Sequence, residues 1–180
     1  MNVCVFCGSA TGHQSIFSEA AKELGSLLGS NGHTLVYGGG NIGLMGIIAD
    51  SVLQSGGKVV GVIPDFLVKR EVAHKNLTEL MVVDSMHERK KKMADASDAF
   101  IAMAGGWGTL DELAEILTWR QLQLINQPIG VLNTQEFFTP LLQSMQTMVR
   151  EGFLRQDNFS LLQVEATPKK LLTRLGVETR

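Results

Sequence analysis

The sequence has no apolar run of about 18 residues, so no membrane-spanning helix is expected. It has no excess of one charge: 16 Lys and Arg stand against 18 Asp and Glu, for a formal net charge of −2. That balance argues against a bulk electrostatic grip on nucleic acid or on an anionic membrane. A basic leader with a cleavage site is missing. Val3–Phe6 already reads as a strand, so no secretory signal is expected. Cysteine is scarce, and no second pair joins Cys4 and Cys7 to complete a zinc site. Their C-x-x-C spacing invites a redox reading. A reactive dithiol, however, sits at a helix N-terminus that stabilises its thiolate, whereas these two fall in or at the end of the strand-like VCVFC. Buried structural thiols are the expectation, and reduced thiols without an export signal point to the cytoplasm. His13, His33, His74 and His87 show no H-x-x-x-H or H-E-x-x-H spacing. No metal and no other cofactor is expected. A G-K-[ST] phosphate loop and a G-x-S-x-G nucleophile elbow are also missing.

What remains is an ordinary globular composition, 44% hydrophobic and 19% charged, over 180 residues. That length fits one domain spanning 1–180. Glycine is the anomaly, at 19 residues, and it clusters at 38–46 and 105–108. Short apolar runs alternate with helix-length segments. Strands are expected at Val3–Cys7, Thr34–Tyr37, Val59–Ile63, Leu80–Val83, Ala99–Met103, Ile129–Leu132 and Leu161–Val164. Helices are expected at about 15–30, 43–55, 86–96, 110–125, 135–150 and 168–175. In the first, Ile16, Ala20, Leu24, Leu27 and Leu28 recur at helical spacing. Strands that are mostly apolar, alternating with helices, predict a three-layer α/β fold, a Rossmann-like, doubly wound parallel sheet of about seven strands flanked by helices. Residues 64–78 form the one long irregular stretch, which reads as a functional loop. Such sheets bind ligands at the carboxyl ends of their strands.

Three strand ends carry unusual residues. The first runs into Cys7-Gly8-Ser9-Ala10-Thr11-Gly12, small residues that let a ligand approach the backbone. The second runs into Tyr37-Gly38-Gly39-Gly40-Asn41-Ile42-Gly43. This formally matches G-x-G-x-x-G, but it follows the second strand rather than the first and lacks the acidic partner about 20 residues on. The fifth ends in Ala104-Gly105-Gly106-Trp107-Gly108-Thr109-Leu110-Asp111-Glu112. Glycines at a helix N-terminus expose unpaired N–H groups to an anion, most often phosphate. Thr109-x-x-Glu112 also reads as a capping box, with Thr109 at the N-cap and Glu112 at N3. The helix after the fourth strand begins Met86-His87-Glu88-Arg89-Lys90-Lys91-Lys92-Met93. At about 100° per residue, Arg89 and Lys90 flank the Met86/Met93 face, while Glu88, Lys91 and Lys92 point away. Trp107 and Trp119 are aromatic candidates for packing or for stacking a base, with core packing favoured for Trp119.

Together, A-G-G-W-G-T-L-D-E (104–112) and M-H-E-R-K (86–90) resemble the double hallmark of the LOG ("lonely guy") family of cytokinin riboside 5'-monophosphate phosphoribohydrolases. The likeness extends through CGSATG (7–12), VYGGGNIGLMG (36–46), GVIP (61–64), DAFIAM (98–103), TWRQL (118–122), PIGVLN (128–133) and EGF (151–153), covering about 1–155. The sequence departs from the hallmark at Ala104, where the family has proline. The resemblance implies that Arg89 and Glu112 are the catalytic pair and that Gly105, Gly106, Gly108 and Thr109 cradle a 5'-phosphate. It assigns Lys90, Glu71 and Thr118 to substrate contacts, and Ser9, Gly39 and Met86 to the pocket lining. It also implies a cytoplasmic homodimer, without cofactor, acting on a small nucleotide such as AMP or an N6-modified adenine nucleotide in cytokinin biosynthesis. The expected reaction is hydrolysis of the N-glycosidic bond of a purine nucleoside 5'-monophosphate. The older label of lysine decarboxylase carried by some relatives finds no pyridoxal-phosphate signature here. The alternative reading is a non-catalytic nucleotide or molybdenum-cofactor carrier, which needs no Arg89/Glu112 pair. A dinucleotide-dependent oxidoreductase is disfavoured by the misplaced glycine fingerprint.

Overall fold

The computed structural model describes residues 1–68, 70 and 73–179. Its strands are β1 (Asn2–Phe6), β2 (Thr34–Tyr37), β3 (Lys58–Pro64), β4 (Glu79–Val83), β5 (Ala99–Ala102), β6 (Ile129–Leu132) and β7 (Leu162–Glu165). Its helices are α1 (Ser15–Ser30), α2 (Gly43–Gln54), α3 (Asp65–Val68), α4 (Met86–Asp95), α5 (Trp107–Gln121), α6 (Thr139–Arg150), α7 (Gln156–Phe159) and α8 (Pro168–Arg174). The seven strands form one parallel sheet in the order β4-β3-β2-β1-β5-β6-β7. This is the expected doubly wound α/β architecture.

The apolar strands are explained by their position. β5 and β6 are buried along their whole length, because helices cover both faces. One core packs α1, α2 and α8 against the sheet, with Leu24, Leu28, Ile48 and Leu171 fully buried. The other packs α4 and α5 against the opposite face through Met93, Leu113 and Ile116, with Phe138 buried just ahead of α6 and α6 itself touching through the half-buried Leu141, Leu142 and Met145. Burying such a side chain fully stabilises by about 1.5–3 kcal/mol. At the sheet edge, β4 instead exposes Leu80 and Val82. No helix among the described residues is long and apolar enough to cross a membrane.

Helix boundaries differ from the sequence expectation in three places. The segment expected at 110–125 starts earlier, at Trp107, and stops at Gln121. The segment expected at 135–150 is broken. A 3₁₀ turn at Thr134–Glu136 contains Gln135 and Glu136 at φ 51° and 57°, and α6 begins only at Thr139. Two consecutive left-handed residues cannot continue a right-handed helix. The short helices α3 and α7 were not expected. Each is four residues long, too short for a hydrophobic period to register.

The strand order positions the site. The chain leaves β1 toward α1 on one face, and leaves the adjacent β5 toward α5 on the other. Their carboxyl ends therefore open a crevice at a topological switch point.

Candidate active site

That crevice holds an open cleft of about 590 Å³. One wall is the N-terminus of α5. Gly106 is the N-cap and no side chain caps the helix. The first intrahelical bond runs from Leu110 N–H to Gly106 O at 3.1 Å. The N–H groups of the first turn are thus left without helix partners, and they carry the positive end of the helix dipole. A Cβ placed on Gly106 or on Gly108 would meet nothing within 4 Å. The backbone here faces open space, as an anion cradle requires. Gly105 differs, because its Cβ would collide with Thr109 Oγ1. Its bare backbone lets the buried Thr109 pack under the loop.

The capping-box expectation fails at this helix. With Gly106 as the cap, Thr109 is the third helical residue and Glu112 the sixth. The glycines let the turn from β5 into α5 close before Thr109 is reached. Glu112 is thereby carried one turn into the helix, where it lines the cleft. A side-chain cap forms instead at α4, where the returning bond of Glu88 goes to the residue before the cap. Ser85 Oγ accepts from Glu88 N–H at 3.1 Å, and Glu88 Oε2 accepts from Asp84 N–H at 3.0 Å. Ala104 contributes its carbonyl, which accepts Gly8 N–H at 3.0 Å. A proline would supply the same acceptor.

Arg89 forms the opposite wall and is only 6% exposed. Its Nε–H donates to Val62 O at 3.0 Å and its Nη2–H to Gly38 O at 3.0 Å, while Nη1 rests on Met86 Sδ at 3.8 Å. Carbonyls at the ends of β3 and β2 thus spend two of the five guanidinium donors and fix the plane of the fork. Glycine at 38 leaves room for this fork, since a Cβ there would displace Arg89 Nη2. A buried cation held by neutral carbonyls is incompletely compensated, so the cleft favours a negative charge. Glu112 supplies one in the same cleft. The field of both groups reaches Cys4, whose thiol is pushed well up by burial and by Glu112, against a lowering by Arg89. Cys7, in the cleft wall, is pushed up by burial and by Glu112. It remains a thiol and offers no nucleophile. Both cysteines are free and buried, as expected.

The cleft therefore gathers Arg89, Glu112, Gly106, Gly108, Thr109 and Ser9. Gly105 lies directly behind Thr109, and Met86 lies behind Arg89. Other expected site residues stand outside the cleft. Gly39 takes φ 76° and packs on Ile63 and Leu80, turning the chain rather than lining the cleft. Thr118 is exposed, and its hydroxyl donates to Ala114 O at 2.8 Å. Lys90 reaches across to Asp111 and Glu115 on α5, at 3.1 and 3.2 Å. Glu71 lies outside the described residues. The sequence reading missed Gly38 as the seat of Arg89, although three glycines in succession were its signal. Trp107, a candidate for packing or for stacking a base, lines the cleft and is 88% exposed. Trp119 packs against the core. Among the described residues no cluster of three or more His, Cys, Asp or Glu could hold a metal ion.

Residues 45–175 match the family model described as possible lysine decarboxylase. The chain is 44% identical over 178 residues to the probable cytokinin riboside 5'-monophosphate phosphoribohydrolase LOGL1 of Oryza sativa subsp. japonica, covering 99% of this chain and 80% of that one. It is 43% identical over 173 residues to the cytokinin riboside 5'-monophosphate phosphoribohydrolase LOG1 of Arabidopsis thaliana, covering 96% and 81%. Among solved structures, the molybdenum cofactor binding protein of Rippkaea orientalis superposes with a TM-score of 0.72 at 20% identity, covering 97% of this chain and 94% of that one. The molybdenum cofactor carrier protein of Chlamydomonas reinhardtii gives 0.70 at 20% identity, covering 98% of each chain. At that identity these structures establish the shared fold alone.

Proposed function

The chain belongs to the LOG family, and from that premise we propose that it hydrolyses the N-glycosidic bond of a purine nucleoside 5'-monophosphate, releasing free base and ribose 5-phosphate. One observation carries this reading: an uncapped, glycine-lined helix N-terminus, a carboxylate and an anchored arginine share a single cleft. The substrate is AMP or an N6-modified adenine nucleotide of the cytokinin type.

In this reading the 5'-phosphate sits on the first turn of α5, against the backbone of Gly106, Gly108 and Thr109. Remote phosphate binding energy then positions the sugar. Arg89 supplies the remaining cation of the clamp through N–H groups not spent on Val62 and Gly38. As the C1'–N bond breaks, its electron pair leaves with the base and positive charge develops on the sugar. Glu112 stabilises that charge, orients a water toward C1' and takes its proton as the C1'–O bond forms. The departing base takes its proton from solvent. Ser9 and Trp107 complete the wall around the substrate.

The description attached to the family model names a different chemistry. Pyridoxal-dependent decarboxylation requires a lysine amine to hold its cofactor. No lysine is among the described residues lining the cleft, so the site does not fit that group. A carrier protein, the alternative reading, has no use for a carboxylate that shares the cleft with the arginine. We also place the protein in the cytoplasm as a homodimer. The free buried thiols support a reducing compartment. No residue of α6 is buried, and Leu122, Leu124, Met148 and Phe153 are exposed, which supports a covering partner.

A substrate panel tests the activity. AMP, GMP, CMP and N6-isopentenyl-AMP are incubated with the protein beside the unphosphorylated nucleosides, and free base is measured. Base release from purine monophosphates and none from nucleosides is the expected result. Release from no monophosphate overturns the assignment.

A further inference from the structure

Lys90 stands directly after Arg89, yet its ammonium does not line the cleft. It reaches α5, where Nζ lies 3.1 Å from Asp111 Oδ2 and 3.2 Å from Glu115 Oε2. These two carboxylates bracket Glu112, one residue before it and three residues after it, on adjacent turns of the helix. The Lys90 side chain is 12% exposed, whereas its neighbours Lys91 and Lys92 are 62% and 47% exposed and, among the described residues, pair within α4, with Asp95 and Glu88. The backbones of α4 and α5 scarcely approach one another. Between them lies a small void bordered by Lys90, Ala94, Glu112, Glu115 and Trp119. Lys90 spans that void. Arg89 and Glu112 come from these two different helices, so their relative placement depends on what ties the helices together.

We propose that Lys90 is a positioning residue: by pairing with Asp111 and Glu115 it clamps α4 to α5 and sets Glu112 against Arg89. This differs from the substrate contact that the resemblance implies for it. The ion pair is well suited to the task. Burial pulls the Lys90 ammonium toward neutrality, but the hydrogen bonds and charges of Asp111 and Glu115 outweigh it and hold its pKa above the ordinary lysine value. The clamp stays charged across the neutral range. It acts on placement, and in a two-group site a shift of about 1 Å costs on the order of 100-fold in rate.

The kinetic part of this inference rests on the proposed hydrolase activity, so wild-type base release is measured first. Lys90→Met keeps the length of the side chain and removes the charge. Its expected effect is a fall in kcat of about 10- to 100-fold with KM for the nucleotide within about threefold. Lys90→Arg restores most of kcat. The pair Asp111→Asn with Glu115→Gln, which touches no cleft residue, reproduces the loss, and combining it with Lys90→Met adds little further. A raised KM at unchanged kcat in Lys90→Met, or an unchanged kcat in the Asp111/Glu115 double variant, overturns the clamp in favour of a direct substrate contact. A readout independent of turnover comes from Trp119, which borders the same void. With Trp107→Phe as background, loss of the clamp should increase acrylamide quenching of Trp119 emission. Unchanged quenching overturns the proposal even if the wild-type protein hydrolyses none of the panel. Hydrolysis failing while quenching responds means that the activity assignment has failed and the clamp stands.

Discussion

Two glycine-rich loops meet at this cleft, and they use glycine for opposite purposes. From the end of β2 into the first turn of α2, the space where a side chain would stand is filled by the protein itself. A Cβ at Gly38 would meet Arg89, one at Gly43 would meet the backbone of Ser9, and one at Gly46 would meet Asn41. At the β5–α5 junction Gly105 is likewise filled, by Thr109, but a Cβ on Gly106 or on Gly108 in the first turn of α5 would meet nothing within 4 Å. The first loop is an internal socket, and its main product is a fixed arginine. The second is an unfilled cradle one turn ahead of a carboxylate. Glycine content alone does not separate them. What a side chain would strike does, and only the second arrangement leaves room for a ligand.

If the cradle binds and Glu112 does the chemistry, the two jobs separate by mutation. Glu112→Gln keeps the shape of the cleft and removes the charge that stabilises the sugar and takes the proton. Turnover should fall by about 100- to 10,000-fold or more. Nucleotide affinity, measured by calorimetry, should stay close to that of the wild type. Unchanged turnover in this variant would falsify the mechanism.

The loops themselves give the next largest contrast. Gly38→Ala drives a methyl group into the Arg89 fork, so the arginine must leave Gly38 O. A loss of about 1–3 kcal/mol in stability is expected, together with activity. Gly108→Ala meets open space within a helix, where alanine is favoured, so stability should hold or rise by about 0.4–1 kcal/mol. Its methyl group instead intrudes on the cradle, and KM for the nucleotide should rise. Thermal melts beside steady-state kinetics decide the matter. The same response in both variants would erase the distinction between socket and cradle.

Much of this layout was readable from residues. The alternation of apolar runs predicted all seven strands, most sharply β5 and β6, where cover on both faces leaves no polar positions to blur the signal. Helical arithmetic placed Arg89 inward with Met93 and left Lys91 and Lys92 in solvent, as observed. Local rules failed where two sites satisfy the same rule. Both Ser85-x-x-Glu88 and Thr109-x-x-Glu112 spell a capping box, and only at the first does the hydroxyl cap its helix, with Glu88 returning to Asp84 N–H. The glycines preceding Thr109 can turn the chain without a side-chain cap, so α5 begins before the box. The direction of Lys90 was legible only in part. Its angle on α4 placed it beside the Arg89 face, but the carboxylates that capture it belong to a helix 21 residues away. The break at Gln135 and Glu136 left no mark, because neither residue type advertises a left-handed backbone.

The smallest expected effect lies at the strand that joins the two loops. Past Cys7, Gly8 N–H bonds Ala104 O beside the cradle, and Gly8 O accepts Leu44 N–H beside the socket, at 3.0 and 3.1 Å. Burial raises the Cys4 and Cys7 thiols in the folded chain, and Glu112 raises them further. In the unfolded chain a thiol titrates near pH 8.5, at about its ordinary value. Between about pH 8 and 9.5 the unfolded state therefore sheds protons that the native state keeps, so stability falls as pH rises. At neutral pH the stabilising contribution is complete. The urea midpoint should drop from pH 7.5 to 9.5, and the drop should shrink in Cys7→Ala after allowance for the lost packing. Iodoacetamide should leave both thiols unmodified in the native protein at pH 8 and label both in urea. Rapid labelling of native Cys7 would mean that β1 does not hold its end closed, and that the wall shared by socket and cradle is looser than the hydrogen bonds of Gly8 imply.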